Sequence, residues 1–148
     1  MIFDNRRSIL VILVTFVLLA PVLAGCGNSS NPDSHMVASM DGMPENIRSA
    51  PQVVRQSYQF ATDHPELMKQ IPCYCGCADL GHTSNYACYI SGVDAKGKIT
   101  YDEHALGCSI CVDITQDVVR LSKLRKPVTE IQAYIDQTYS QYGPPNIP

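Results

Sequence analysis

Apolar positions along this chain fall into one nearly continuous run near the start and then into short periodic segments after residue 48. The run, Ile9–Ala20, is interrupted only by Thr15. Further on, Val53, Val54, Ser57, Tyr58 and Ala61 fall at helical spacing behind Ser49-x-x-Gln52, a capping-box pattern with Pro51 in the first turn. Asp63-His64-Pro65-Glu66 predicts a stop and a new start, with Asp63 as a possible cap, and Leu67, Met68 and Ile71 give the short second helix an apolar side. From Tyr86 to Val93 the composition is that of a strand. Asp94-Ala95-Lys96-Gly97 is a turn, and Lys98–Tyr101 returns, so a small hairpin is expected. Ile110, Cys111, Ile114, Val118, Leu121 and Leu124 or Arg125 follow a 3.6-residue period, the clearest helix of the chain, closed by Pro127. Thr129-x-x-Gln132 resembles a second capping box, ahead of Ile131, Tyr134, Ile135, Thr138 and Tyr142. Gly143-Pro144-Pro145 ends that helix. The last two helices, joined by two or three residues, are expected to lie antiparallel. The fold class that follows is mainly α with a short β-hairpin.

Candidate chemistry is concentrated in one place. Pro72-Cys73-Tyr74-Cys75-Gly76-Cys77 puts three thiols into five residues, and Cys88, Cys108 and Cys111 follow, with His82 and His104 among them. In an extended chain, alternate Cα atoms stand roughly 6.6 Å apart. Thiolates on one zinc ion lie under about 4 Å from each other, given Zn–S near 2.3 Å. The loop must therefore curl for one ion to take all three, and Gly76, free to take positive φ, is placed to allow it. A disulfide between i and i+2 is strained. Cys108-Ser109-Ile110-Cys111 opens the strongest helix, where a helix N-terminus favours the thiolate. With His104 one turn back, it offers up to three ligands facing the loop.

The reading is a small Cys-rich domain whose helices pack around a thiolate-rich loop. Cys73, Cys75, Cys77, Cys108 and Cys111 are expected to ligate copper or zinc, Cu(I) ahead of Zn(II). Cys88, His82 and His104 act as ligands or orient them. Two alternatives stand beside it. The first is a disulfide framework pairing the three loop cysteines with the three later ones, usual in exported domains with an even cysteine count. The second is a thiol–disulfide redox site, for which the required strand before the C-x-x-C is not convincing. No G-x-S-x-G or H-E-x-x-H is present, so nothing suggests a hydrolase, and the protein is read as a non-enzyme.

The amino-terminal region sets the compartment. Arg6 and Arg7, the apolar run, and Leu23-Ala24-Gly25-Cys26 form a signal peptide over residues 1–25 rather than a spanning helix. The small-small-Cys ending resembles the lipobox of bacterial lipoproteins. That resemblance implies lipidation of Cys26, an anchor in the cell membrane facing outside the cytoplasm, and stable attachment through two or more acyl chains. Residues 26–48 read as the lipidated cysteine and a flexible tether with a reach of roughly 25 Å. Its His35, Met36, Met40 and Met43 are soft ligands or linker residues without a role. The folded domain is expected over residues 49–148. Net charge is −3 and becomes one unit more negative when Asp4, Arg6 and Arg7 leave, which argues against a nucleic-acid partner. With no Trp and three Phe the core is thin, and a domain of this size often needs metal or disulfides to hold it.

Finally, Ile71-Pro72-Cys73-Tyr74-Cys75-Gly76-Cys77, Gly81-His82-x-Ser84, Cys88, Asp102-x-His104 and Cys108-x-x-Cys111 resemble the PCYCGC-motif lipoproteins of bacteria, over about Glu45 to Tyr142. The resemblance implies a cell-surface lipoprotein with these Cys and His positions as its signature. It implies little about activity. The metal role, and any metal-accepting protein partner, rest on ligand type alone.

Overall fold

The computed structural model describes residues 42–147. The expected signal peptide, Cys26, His35, Met36 and Met40 lie outside the described residues. Six helices and one hairpin make the fold: α1 Glu45–Arg48, α2 Gln52–Asp63, α3 Pro65–Met68, β1 Ile90–Val93, β2 Ile99–Tyr101, α4 His104–Gly107, α5 Ser109–Lys123 and α6 Val128–Tyr139. Short 3₁₀ turns lie at Cys77–Leu80, Tyr86–Cys88 and Ser140–Tyr142. Among the described residues no helix is long and apolar enough to cross a membrane.

α5 is the central support. It packs on α2 along one side and on α6 along another, burying Cys111, Val112, Ile114, Thr115, Val118, Val119 and Leu121. α6 contributes Ile131, Ile135 and Tyr139. The pairs Tyr139–Asp117 (hydroxyl to carboxylate, 2.8 Å) and Tyr134–Arg120 (cation over ring, 5.1 Å) run in opposite sequence directions, so the two helices are antiparallel as expected. α5 ends earlier than its periodicity suggests. Arg125 turns to φ 56°, its N–H reaches the Ser122 carbonyl at 2.8 Å and that of Lys126 the Leu121 carbonyl at 3.1 Å. This pair of bonds closes a Schellman-type terminus before Pro127 and leaves Leu124 exposed.

Neither capping box forms. Pro51 and Pro127 stand at the N-cap positions of α2 and α6, and no side chain caps either helix. A proline pre-set near φ −60° starts both helices without one. Gln132 instead donates to the Gln70 carbonyl at 2.8 Å, tying α6 to the segment after α3. At the α2–α3 break the cap is likewise absent. His64 takes the junction position, and Asp63 accepts from Gln59 at 2.9 Å.

Two element boundaries differ more. The strand expected from Tyr86 begins only at Ile90. Before it the chain makes local bonds, Ala87 N–H to Ser84, Cys88 to Asn85 and Tyr89 to Tyr86, all at 3.0–3.2 Å. This tight turn lets Cys88, Tyr89 and Ile90 all face inward, which strand alternation forbids. The hairpin pairs Ile90 with Tyr101 and Val93 with Ile99, with an irregularity at Ser91. The second difference is at the start. The tether expected to reach residue 48 stops at the described Met43, which is 4% exposed, while Ile47 of α1 is fully buried. Met43 belongs to the core rather than to a set of mobile soft ligands, because α1, following Pro44, turns its one apolar residue inward beside it.

This boundary is directly testable. Ile47→Ala should cost about 2–5 kcal/mol, the range for emptying a buried isoleucine site, read from urea unfolding of the reduced protein. No change in midpoint would return residues 43–48 to the tether.

Candidate metal centre

Each sulfur is placed by an identifiable local device. Pro72 leads the chain out of the α3 region, and Gly76 (φ 79°) bends the loop back on itself. The Cys77–Leu80 turn, closed by Gly81 at φ 84°, returns the chain so that the His82 N–H bonds the Cys77 carbonyl at 3.3 Å. Cys88 ends its own 3₁₀ turn. Cys108 is extended, at the N-cap of α5, so α4 and α5 are separate helices rather than one. Cys111 sits in the first turn of α5 and is fully buried, as are Cys73 and Cys88, while Cys77 is 1% exposed. Cys75, Cys108 and His104 are half-buried.

None of these six cysteines is in a disulfide. The sulfurs nevertheless converge. Cys73–Cys75 is 3.4 Å, Cys73–Cys111 3.5 Å, Cys75–Cys111 3.6 Å and Cys77–Cys88 3.6 Å. Nε2 of His104 is 3.4 Å from Cys75 Sγ. Such spacings are far beyond the roughly 2.05 Å of a disulfide. They approach the roughly 3.8 Å between two thiolates on one tetrahedral ion. Three groups of four donors form: Cys73, Cys75, Cys77 and Cys88; Cys75, His104, Cys108 and Cys111; Cys77, His82, Cys88 and His104. Within each, all donor atoms lie within 4.8 Å of one another. Together they contain all eight residues expected to form the site.

Crowded thiols cannot all ionise without a cation. The protein settles this by sharing protons. Cys111 donates to Cys73, whose pKa falls to about 2, helped by Cys88 and opposed by burial. Beside Cys111 the Cys108 thiol falls to about 5, with the Cys111 backbone N–H, Cys75 and His104 adding to the effect and burial opposing it. Cys111 itself is pushed far up by those two partners. Burial raises Cys75 and Cys77. Cys73 and Cys108 are the two thiols whose pKa is held low.

The chain matches, over residues 14–147, the model of a family described as proteins of unknown function with a PCYCGC motif. The chain belongs to that family. No curated protein and no solved structure matches it. The motif that defines the PCYCGC family is therefore, in this member, the loop that supplies three of the six converging sulfurs.

Several residues that hold the site carry no obvious signal in sequence. Asn146, 8% exposed, clamps the loop from the C-terminal tail: its Oδ1 accepts the Cys73 N–H at 2.7 Å, its own N–H reaches the Cys73 carbonyl at 3.1 Å, and its amide donates to Cys77 Sγ at 3.4 Å. Gly143 makes this crossing possible, since a Cβ there would stand 3.1 Å from the Tyr74 carbonyl oxygen. Tyr89 donates to the Cys111 carbonyl at 2.8 Å and touches Thr115 Oγ1 at 2.7 Å. Thr115 donates to Asn85 Oδ1 at 2.8 Å. This buried set ties the start of α5 to the turn that carries Cys88. Asp102 serves both histidines: Oδ1 accepts the His104 N–H at 2.8 Å, and Oδ2 lies 3.4 Å from His82 Nε2. An aspartate two residues ahead of a short helix was the one readable hint.

The pKa of Cys108 sets a pH dependence. It lies below the ordinary value of about 8.5, so the folded, metal-free protein carries a thiolate there at neutral pH. The stability that thiolate contributes is present above the unfolded value and is lost as pH falls through about 5. Alkylation of Cys108 by iodoacetamide, followed by peptide mapping, should stay near its plateau at neutral pH and fall only near pH 5. In urea the same fall should move to about pH 8.5. Identical profiles in both states would contradict the lowered pKa of Cys108.

Proposed function

We propose that this protein binds a soft metal ion outside the cytoplasm, Cu(I) ahead of Zn(II), and that it does so for delivery, buffering or sensing rather than catalysis. The observation that carries the reading is the convergence of Cys73, Cys75 and Cys111 to mutual separations of 3.4–3.6 Å without a disulfide. Six thiols and two imidazoles form a soft donor set, the kind that suits Cu(I) and Zn(II) better than hard cations. The lipobox-like Leu23-Ala24-Gly25-Cys26 supports a membrane anchor at Cys26.

Burial bears on the task. A closed structural zinc site shields all its ligands. Here Cys73, Cys77, Cys88 and Cys111 are sealed, whereas Cys75, Cys108 and His104 keep partial exposure. A metal-accepting protein partner would reach the ion from that side. A cleft of about 470 Å³ beside the site, lined in part by His82, Ser84, Tyr86 and Asp102, offers a second approach.

Cys75 belongs to two of the donor groups. Cys75→Ser should therefore lose at least about half of the metal bound by the parent protein, measured by elemental analysis after anaerobic purification, with its helical circular dichroism retained. Full retention of metal in that variant would overturn the ligand set.

A further inference from the structure

Resting on that metal-binding reading, the geometry carries a statement about how many ions the site holds. A four-coordinate ion uses four donors, and eight converge here. Placing one ion among Cys75, His104, Cys108 and Cys111 leaves Cys77 and Cys88 buried 3.6 Å apart with no cation, and leaves His82 beside them. His82 supplies an independent observation. It is 9% exposed, and its Nδ1 is buried without a hydrogen-bond partner. Its other nitrogen faces the Asp102 carboxylate at 3.4 Å. A carboxylate at Nε2 holds the ring proton there and leaves the Nδ1 lone pair free, as with imidazoles that ligate metals. A buried lone pair with no donor to accept from is costly, and a cation shared with Cys77 and Cys88 relieves it. Cys73 stands between the two halves. It is 3.4 Å from Cys75 and 3.5 Å from Cys111 on one side, and it shares a donor group with Cys77 and Cys88 on the other.

We propose that the centre is polynuclear: one ion on Cys75, His104, Cys108 and Cys111, a second on Cys77, Cys88 and Nδ1 of His82, with the Cys73 thiolate bridging them. Asp102 is a positioning residue for His82. The arrangement suits the charge as well. Six thiolates around a single monovalent or divalent ion leave a large uncompensated negative charge in a mostly buried space, and additional cations reduce it.

The test is an anaerobic titration of the full-length chain in detergent with Cu(I), and separately with Zn(II), read by native mass spectrometry. The wild-type chain should saturate at two or more ions. His82→Ala should hold fewer while keeping the first ion, and Cys88→Ser, which changes a different ligand of the same ion, should do the same. Asp102→Asn, which keeps one oxygen to accept the His104 N–H, should weaken the last ion by about 10–100-fold and the first far less. Wild-type saturation at one ion would overturn the polynuclear centre and leave metal binding standing. Saturation at none would overturn both. If His82→Ala and Cys88→Ser both keep the wild-type count, or both lose every ion, the division into two sites is wrong.

Discussion

Thiols packed within 3.4–3.6 Å repel one another as they ionise, and a cluster of six, four of them buried, cannot be fully charged without a cation. The rest of the fold can be understood from that constraint. α5 offers a rigid first turn for Cys108 and Cys111. The Asn85–Tyr89–Thr115 bonds fix that turn to the one that carries Cys88, and Asn146 pins Cys73 and Cys77 from the far end of the chain. In the absence of metal the neighbouring Cys111 thiol lowers the pKa of Cys73 and of Cys108. A soft cation would lessen that repulsion at a place where the family motif and the core coincide.

The same constraint explains the economy of the core. With no tryptophan, and with Phe60 the one phenylalanine among the described residues, the interior relies on tyrosines, short aliphatics and the cysteines themselves. Tyr58 and Tyr89 meet edge to face at 5.0 Å, and the Tyr58 hydroxyl donates to the Asp102 carbonyl at 2.7 Å. Core packing therefore positions the segment that carries Asp102 and His104. Stability and site geometry are not separable in this domain, and metal binding would add to folding free energy directly.

Much of this was legible in the chain. The long helices show a 3.6-residue period because each buries a single face against α5 or, for α5, against its two neighbours. The eight clustered residues were legible from the density of cysteine and histidine, although that density also fits a disulfide framework. Other features were not legible, for physical reasons. Proline at the N-cap replaced both apparent capping boxes, since a fixed φ needs no side chain. Tyr86–Cys88 has strand composition, but the need to bury three consecutive residues selected a 3₁₀ turn. Asn146 and Asn85 act through partners that only the tertiary fold brings to their side chains, and asparagine beside prolines or serine reads locally as loop. Ile47 was missed because one apolar residue in a four-residue helix makes no period.

The most direct test of the central claim is a thiol and metal count on one sample of the full-length chain, extracted in detergent and purified without air. Free thiols would be counted before and after unfolding in the presence of a chelator, and bound metal measured alongside. The expected result is the thiols of Cys73, Cys75, Cys77, Cys88, Cys108 and Cys111 appearing on unfolding, with copper or zinc bound to the native chain. No thiols and no metal would contradict the account and leave a disulfide framework in its place.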